Sequence, residues 1–174
     1  MKSRRLISII IPLHNEAPNL DNLHKELSRH IEVLPYDFEI IFVDDGSRDE
    51  SLEKLEQLAQ QDSRVRIVEF ARNFGKEAAI SAGLHASRGD AAIMCDADLQ
   101  HPPKLIHKFI TEWRKGADVV IGIRKYSKDE GWFKRWASAR FYQIMQVIAH
   151  TKITPHASDF RLLDRRVIDV FSRF

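Results

Sequence analysis

Two aspartates stand two apart at Asp96-Ala97-Asp98, with Gln100 two positions further on, directly behind an apolar run at 91–95. Alternate side chains of an extended chain share a side, so this spacing predicts that the three oxygen-bearing groups face one way. Carboxylate and amide oxygens are hard ligands. They suit Mg²⁺ or Mn²⁺, which keep several waters and take further oxygens from substrate phosphates. An Asp-x-Asp alone arises often by chance, and its weight here comes from its company. His14-Asn15-Glu16 follows the apolar run 6–12, Asp44-Asp45-Gly46-Ser47 follows 38–43, and Arg72-Asn73-Phe74-Gly75-Lys76 follows 65–70. Turn and capping chemistry accounts for any one such cluster taken singly. Four in succession, each behind an apolar run, point to one polar site.

The elements that must position these clusters follow from hydrophobic periodicity. The runs at 6–12, 38–43, 65–70, 91–95 and 118–121 are β-branched and nearly continuous in apolar character, as strands covered on both faces are. Between them Leu20, Leu23, Leu27, Ile31 and Leu34, then Leu52, Leu55 and Leu58, then 78–86, then Leu105, Phe109 and Trp113 recur at helical spacing, with Pro102 and Pro103 where a first turn tolerates proline. Five strands thus alternate with four helices. That order predicts an α/β fold, an open and mostly parallel sheet flanked by helices on both faces. In such sheets ligands collect beyond the carboxyl ends of the strands, where all four polar clusters fall.

Composition narrows the chemistry. The 174 residues amount to about one domain, and at 44% hydrophobic and 30% charged they can bury a core. The single cysteine, Cys95, excludes an internal disulfide and a thiolate zinc cluster. No apolar run approaches the roughly 20 residues of a membrane-spanning helix, and the first ten residues do not read as a signal peptide. No glycines stand in the G-x-G-x-x-G relation. Gly75-Lys76 lacks the upstream glycine of a P-loop, and neither G-x-S-x-G nor H-E-x-x-H occurs, so dinucleotide, P-loop, serine-hydrolase and zinc-protease readings fall away. Charge is uneven. Residues 1–121 carry 16 Lys and Arg against 20 Asp and Glu, whereas residues 122–174 carry 11 against 5, a split of −4 and +6 within a net +2. The basic end suits an anionic ligand, an anionic lipid surface or nucleic acid, or is simply a solvated face.

Pro12-Leu13-His14-Asn15-Glu16, Val43-Asp44-Asp45-Gly46-Ser47, the string from Asp96 to Pro103 and Asp159-Phe160-Arg161 resemble, in order, the motifs of inverting family 2 glycosyltransferases of the GT-A fold. Arg72-Asn73-Phe74-Gly75-Lys76-Glu77-Ala78-Ala79 and Asp98-Leu99-Gln100-His101-Pro102-Pro103 are similar to the polyprenyl-phosphate subgroup, which includes bactoprenol glucosyltransferases and dolichol-phosphate mannose synthases. The resemblance implies a single catalytic domain over 1–174. In it Pro12, Asn15, Glu16, Asp44 and Asp45 hold the nucleotide of a sugar diphosphate, and Asp96, Asp98 and Gln100 hold Mg²⁺ or Mn²⁺. Lys76 adds positive charge toward phosphate or is an ordinary exposed lysine. Asp98, Asp159 and Arg161 fall at the reaction centre, with Asp159 orienting the acceptor or balancing Arg161 and the metal instead of abstracting a proton.

The same resemblance assigns the basic end to a lipid phosphate, with no nucleic-acid partner. Arg124, Lys134, Arg135 and Ser138 are its candidate ligands. Between 132 and 150, Trp132, Phe133, Trp136 and Phe141 interleave with Lys134, Arg135 and Arg140, a composition suited to the interface of an anionic membrane. A helix packed on the sheet with its charges in solvent is the competing reading. The implied reaction is transfer of a sugar, UDP-glucose being the first choice of donor, to a polyprenyl phosphate such as undecaprenyl phosphate, by a protein peripheral to the cytoplasmic face of the cell membrane. The resemblance also implies further interface helices, and often membrane-spanning helices, beyond the region that these 174 residues match. A homo-oligomer is compatible with the sequence. Two alternatives share these residues: a family 2 transferase acting on a saccharide hydroxyl, which needs a carboxylate base, and a non-catalytic nucleotide-sugar-binding module.

Overall fold

The computed structural model describes residues 4–98, 102–123, 157–171 and 173. It divides into two compact units. The first comprises residues 1–121 and 159–174. The second, 122–158, lies almost wholly outside the described residues, as do four of the candidate phosphate ligands, Arg124, Lys134, Arg135 and Ser138, and the candidate metal ligand Gln100.

The sheet has six strands: β1 (Leu6–Leu13), β2 (Asp37–Asp44), β3 (Val65–Glu69), β4 (Ala91–Met94), β5 (Val119–Ile123) and β6 (Ala157–Asp164). Their order is β3-β2-β1-β4-β6-β5. β1 pairs parallel with β2 and β4, and β2 pairs parallel with β3. β6 is a strand that the apolar periodicity did not announce. It runs antiparallel to β4, with Ala91 opposite Asp164 and Met94 opposite Arg161, and so enters an otherwise parallel sheet.

Five helices are described: α1 (Ala17–Ile31), α2 (Ser51–Gln61), α3 (Lys76–Ala86), α4 (Ile106–Arg114) and α5 (Arg165–Phe171). Period-two alternation along the strands sorts the core into two layers. Ile7, Ile9 and Ile11 of β1 join Ile40 and Phe42 of β2 against Leu20, Leu23 and Leu27 of α1, Leu55 of α2 and Phe109 of α4. Ile10, Ile41, Val43 and Met94 turn the other way, against Ala79 and Leu84 of α3 and Ile168 of α5. Both faces of the sheet are therefore covered. Two runs depart from the expected full burial: β3 is largely half-buried, and in β5 Val119, Ile121 and Ile123 are exposed. Both strands are at the margins of the sheet, where their neighbours cover them on one side only. Pro103 opens a short 3₁₀ turn, Pro103–Leu105, and α4 begins after it.

One buried polar network fixes the strand starts. Ser8 of β1 donates to Glu39 Oε1 at 2.6 Å, the Arg88 N–H donates to the same oxygen at 2.7 Å, and Arg66 of β3 donates to Glu39 Oε2 at 2.8 Å. Burial raises the Glu39 carboxyl pKa, but the bonds from Ser8, Arg88 and Arg66 outweigh it and hold the pKa below the ordinary value. A carboxylate whose pKa is depressed by folding stabilises the native state above its unfolded pKa, here 4.5, and loses that contribution as pH falls through the folded value. Glu39→Ala leaves these donors without their acceptor, and the expected loss is about 2–3 kcal/mol at neutral pH, shrinking toward pH 3. Urea unfolding at both pH values measures it; an equal loss at both would show that the carboxylate charge contributes nothing.

Candidate functional site

The loops behind β1, β2, β3 and β4 meet at the carboxyl edge of the sheet, and backbone chemistry locks them to one another. The β2 loop turns on itself: Asp44 Oδ1 accepts the Ser47 N–H at 3.0 Å and also the Ser47 hydroxyl. Gly46 follows at φ +65°, and a Cβ there would lie 2.4 Å from the Arg72 carbonyl carbon, so the β2 loop touches the β3 loop through a bare glycine. Asp45 reaches the same loop. Its two carboxylate oxygens accept the Phe74 and Gly75 N–H groups at 2.7 and 2.9 Å.

Asn15 ties the β1 loop to the β2 loop. It adopts φ 56°, a left-handed conformation that asparagine tolerates. Its N–H donates to Ser47 Oγ at 2.9 Å, and its Oδ1 accepts the Arg48 N–H at 2.8 Å. His14 Nδ1 lies 2.8 Å from the Asp45 carbonyl oxygen, which makes Nδ1 the protonated nitrogen and leaves Nε2 to accept from Asn15 Nδ2 at 3.1 Å. Glu16, just ahead of α1, accepts from Asn19 Nδ2 at 2.6 Å.

These loops enclose a cleft of about 390 Å³. Pro12, Glu16, Asp45, Lys76, Asp96 and Asp98 of the sequence-derived candidates line it together. Asn15 and Asp44 instead border an adjoining cleft of about 400 Å³, and His14 and Asn73 belong to both. His14 and Asn73 are contributors that residue typing placed in the right loops without assigning a task. Asp96 and Asp98 do face one cleft, but not through strand alternation: β4 ends at Met94, and Ala97-Asp98 form a turn that buries Ala97 between them.

Opposite charges follow one another from the cleft to β6. Lys76, the first residue of α3, places its ammonium 2.6 Å from Asp96 Oδ1 and 2.7 Å from Asp159 Oδ2, and Arg161 Nη2 donates to Asp159 Oδ1 at 3.1 Å. Arg161 Nε is buried without a hydrogen-bond partner among the described residues. The Lys76 bond holds the Asp159 carboxyl low against the opposing effect of burial, with the Lys76 and Arg161 charges adding to it. Burial lowers the Lys76 pKa, yet its bonds to Asp159 and Asp96 carry it above the ordinary value. Lys76 thus faces two carboxylates in this structure. Beneath the cleft, burial and then the Asp96 and Asp98 charges push the Cys95 thiol up to about 12, which leaves it no thiolate for nucleophilic work.

Two carboxylates on one wall of an open cleft fit a small hard cation that completes its shell with water and phosphate. An ammonium already sits against one of them, so this wall is built to hold positive charge. Among the described residues no group of three or more His, Cys, Asp or Glu forms a closed metal cage. No described helix is long and apolar enough to cross a membrane.

The model of the family described as "Glycosyl transferase family 2" matches residues 8–171. An uncharacterized glycosyltransferase of Synechocystis is 41% identical over 167 residues, which are 96% of this chain and 52% of that protein. A bactoprenol glucosyl transferase of Shigella phage SfX is 38% identical over 163 residues, 94% of this chain and 53% of that protein. The chain thus spans about half the length of these relatives. Among solved structures, a mannosyltransferase from Pyrobaculum calidifontis in complex with GDP-Man and Mn²⁺ is similar with TM-score 0.65 and 18% identity, covering 98% of this chain and 47% of that one. Glucosyl-3-phosphoglycerate synthase from Mycobacterium tuberculosis, in complex with Mn²⁺, UDP-glucose and phosphoglyceric acid, is similar with TM-score 0.66 and 19% identity, covering 94% and 58%. At such identities the shared feature is the fold.

Proposed function

Since the chain belongs to glycosyl transferase family 2, we propose that residues 1–174 form the catalytic domain of an inverting enzyme that moves glucose from UDP-glucose to a polyprenyl phosphate at the cytoplasmic face of a membrane. One observation carries this reading: four loops at the carboxyl edge of the sheet enclose a cleft that presents Asp96 and Asp98 on one wall, in a chain 38% identical to a bactoprenol glucosyl transferase. The adjoining cleft, bordered by Asn15, Asp44, Ser47 and Arg72, has room for a nucleoside. A nucleotide spanning the two compartments passes His14 and Asn73, the residues they share.

Asp96 and Asp98, with Gln100 added, would hold Mg²⁺ or Mn²⁺ against the diphosphate. When bound, such an ion supplies Lewis-acid neutralisation of the charge that builds on the departing nucleoside diphosphate. The nucleophile needs little help. A phosphate monoester has its second pKa near 6 and is largely dianionic at neutral pH. Its oxygen forms the new bond at the anomeric carbon as the bond to the diphosphate oxygen breaks from the opposite face, and the electron pair leaves with the nucleoside diphosphate. No proton moves in that step, so Asp159, already bound to Lys76 and Arg161, serves to orient and balance charge. Arg124, Lys134, Arg135 and Ser138 are the proposed acceptor-phosphate ligands, and the basic segment 132–150 the proposed contact with an anionic membrane surface.

The test is transfer of radiolabelled glucose from UDP-glucose, with Mn²⁺, to undecaprenyl phosphate in detergent. Label should pass into the lipid phase, and Arg124→Ala should depress that transfer far more than it depresses UDP binding. Robust transfer to a neutral sugar in place of the lipid would establish the hydroxyl-acceptor alternative. UDP-glucose binding without turnover to any acceptor would establish the binding module.

A further inference from the structure

Lys76 bridges two carboxylates that come from different strands, Asp96 from behind β4 and Asp159 from β6. Helix stability does not explain it there. The ammonium belongs to the first residue of α3, where the helix dipole favours negative charge and disfavours positive. We propose that Lys76 is a resident counter-cation of the donor site: it occupies, at Asp96, the place a divalent ion takes, and is displaced from that carboxylate when the ion binds. The proposal rests on the assignment of Asp96 and Asp98 as the cation's ligands.

The contacts make this exchange self-consistent. On leaving Asp96, the ammonium keeps its 2.7 Å bond to Asp159, so it is never left without a carboxylate. Asp159 also keeps Arg161 on its other oxygen. The Lys76 side chain is 42% exposed, and a lysine is a strongly hydrated point charge on a flexible stem, so it can swing aside without breaking packing. The consequence is competition. In the nucleotide-free protein an incoming divalent cation must evict an ammonium, which weakens its binding. A diphosphate adds negative charge on the cation's open side and tips the exchange, so cation and nucleotide enter as a coupled pair.

The experiment is titration of the nucleotide-free chain with Mn²⁺, free ion being followed by electron paramagnetic resonance, for wild type, Lys76→Met, Lys76→Gln and Arg72→Gln. Arg72 is a neighbouring cation on the β3 loop that stacks on Phe74. Removing Lys76 should tighten Mn²⁺ binding about tenfold, the one-unit effect that a neighbouring charge has on a carboxylate's proton affinity. Arg72→Gln should change it less than about twofold. A purely structural Lys76 would give the opposite sign, since loosening the cleft weakens binding. Circular dichroism verifies that each variant is folded, and Lys76→Gln retains a polar group should Lys76→Met fail to fold. Unchanged or weaker Mn²⁺ binding in folded Lys76 variants overturns the proposal but leaves Asp96 and Asp98 as ligands. An equal gain in Arg72→Gln overturns it too, as a general field effect. No Mn²⁺ uptake by any form, with or without UDP, overturns both the proposal and the ligand assignment.

Discussion

Asp98→Asn is expected to lose the Mn²⁺-dependent part of UDP binding, with affinity in Mn²⁺ falling to the value that wild type shows in EDTA. The substitution keeps the shape of the side chain and removes its charge. Asp96 and Asp98 are the two carboxylates proposed to hold the cation, and the variant takes away one of those two charges. Outer partners of metal ligands typically change affinity 10- to 100-fold, so loss of a direct ligand should cost about 100-fold or more. Stability should scarcely move. Asp98 is exposed, in a turn beyond the end of β4, and substitutions at such positions stay within about 0.5 kcal/mol. Calorimetric titration with UDP in Mn²⁺ and in EDTA, beside a urea denaturation curve, checks both halves. Wild-type binding indifferent to EDTA would remove the metal from the donor site altogether.

Gly46→Ala should damage fold and site together. A residue with a Cβ at φ +65° is strained, and this Cβ would meet main-chain atoms of Arg72 and Asn73 at 2.4 to 2.7 Å. Backbone cannot swing aside as the end of a flexible side chain can. Left-handed strain and overpacking are worth about 1–3 kcal/mol each, so the expected loss is about 2–6 kcal/mol. The urea midpoint should fall with an unchanged slope. The β2 and β3 loops are joined by Asp45 as well, and pushing them apart opens its bonds to Phe74 and Gly75, so UDP affinity should drop in the protein that remains folded. Gly75→Ala is the instructive contrast. Its φ is +96°, but a Cβ there meets nothing within 4 Å, so only the conformational part of the penalty applies.

The central strands and their loops could be read directly because each of 6–12, 38–43 and 91–95 is a compact apolar run followed at once by polar residues. β6 escaped because its alternation is carried by charged residues: Phe160 and Leu162 are buried, whereas Asp159 and Arg161 between them bond to one another and to Lys76. Its period of two is present in the sequence but short, and charge masks it. The shared face of Asp96 and Asp98 was expected from an extended geometry that ends at Met94, and a turn that buries Ala97 provides it instead. The pairing of Lys76 with Asp96 was not legible at all. It depends on where α3 starts relative to the end of β4, which is set by packing of Ala79 and Leu84 against Ile10 and Val43. The family resemblance assigns Asp44 and Asp45 to the nucleotide, and in this structure their described bonds go to Ser47, Phe74 and Gly75. Sequence reading located the loops, while tertiary contacts decided which groups inside them face the cleft.

The antiparallel placement of β6 bears on the order in which the protein is made. β1 to β4 are complete once Met94 has been synthesised, and their parallel pairings need nothing that lies further along the chain. The other edge of β4 is closed by residues from Arg161 to Asp164, which come later in the chain, and Arg165 donates to the Ser87 and Gly89 carbonyl oxygens just ahead of β4. An open strand edge invites pairing with another chain, and here that edge is covered by residues far along the chain. Asp159 and Arg161 arrive on the same strand that closes the edge. The pairing that covers this edge of the sheet is therefore the same one that brings Asp159 to Lys76.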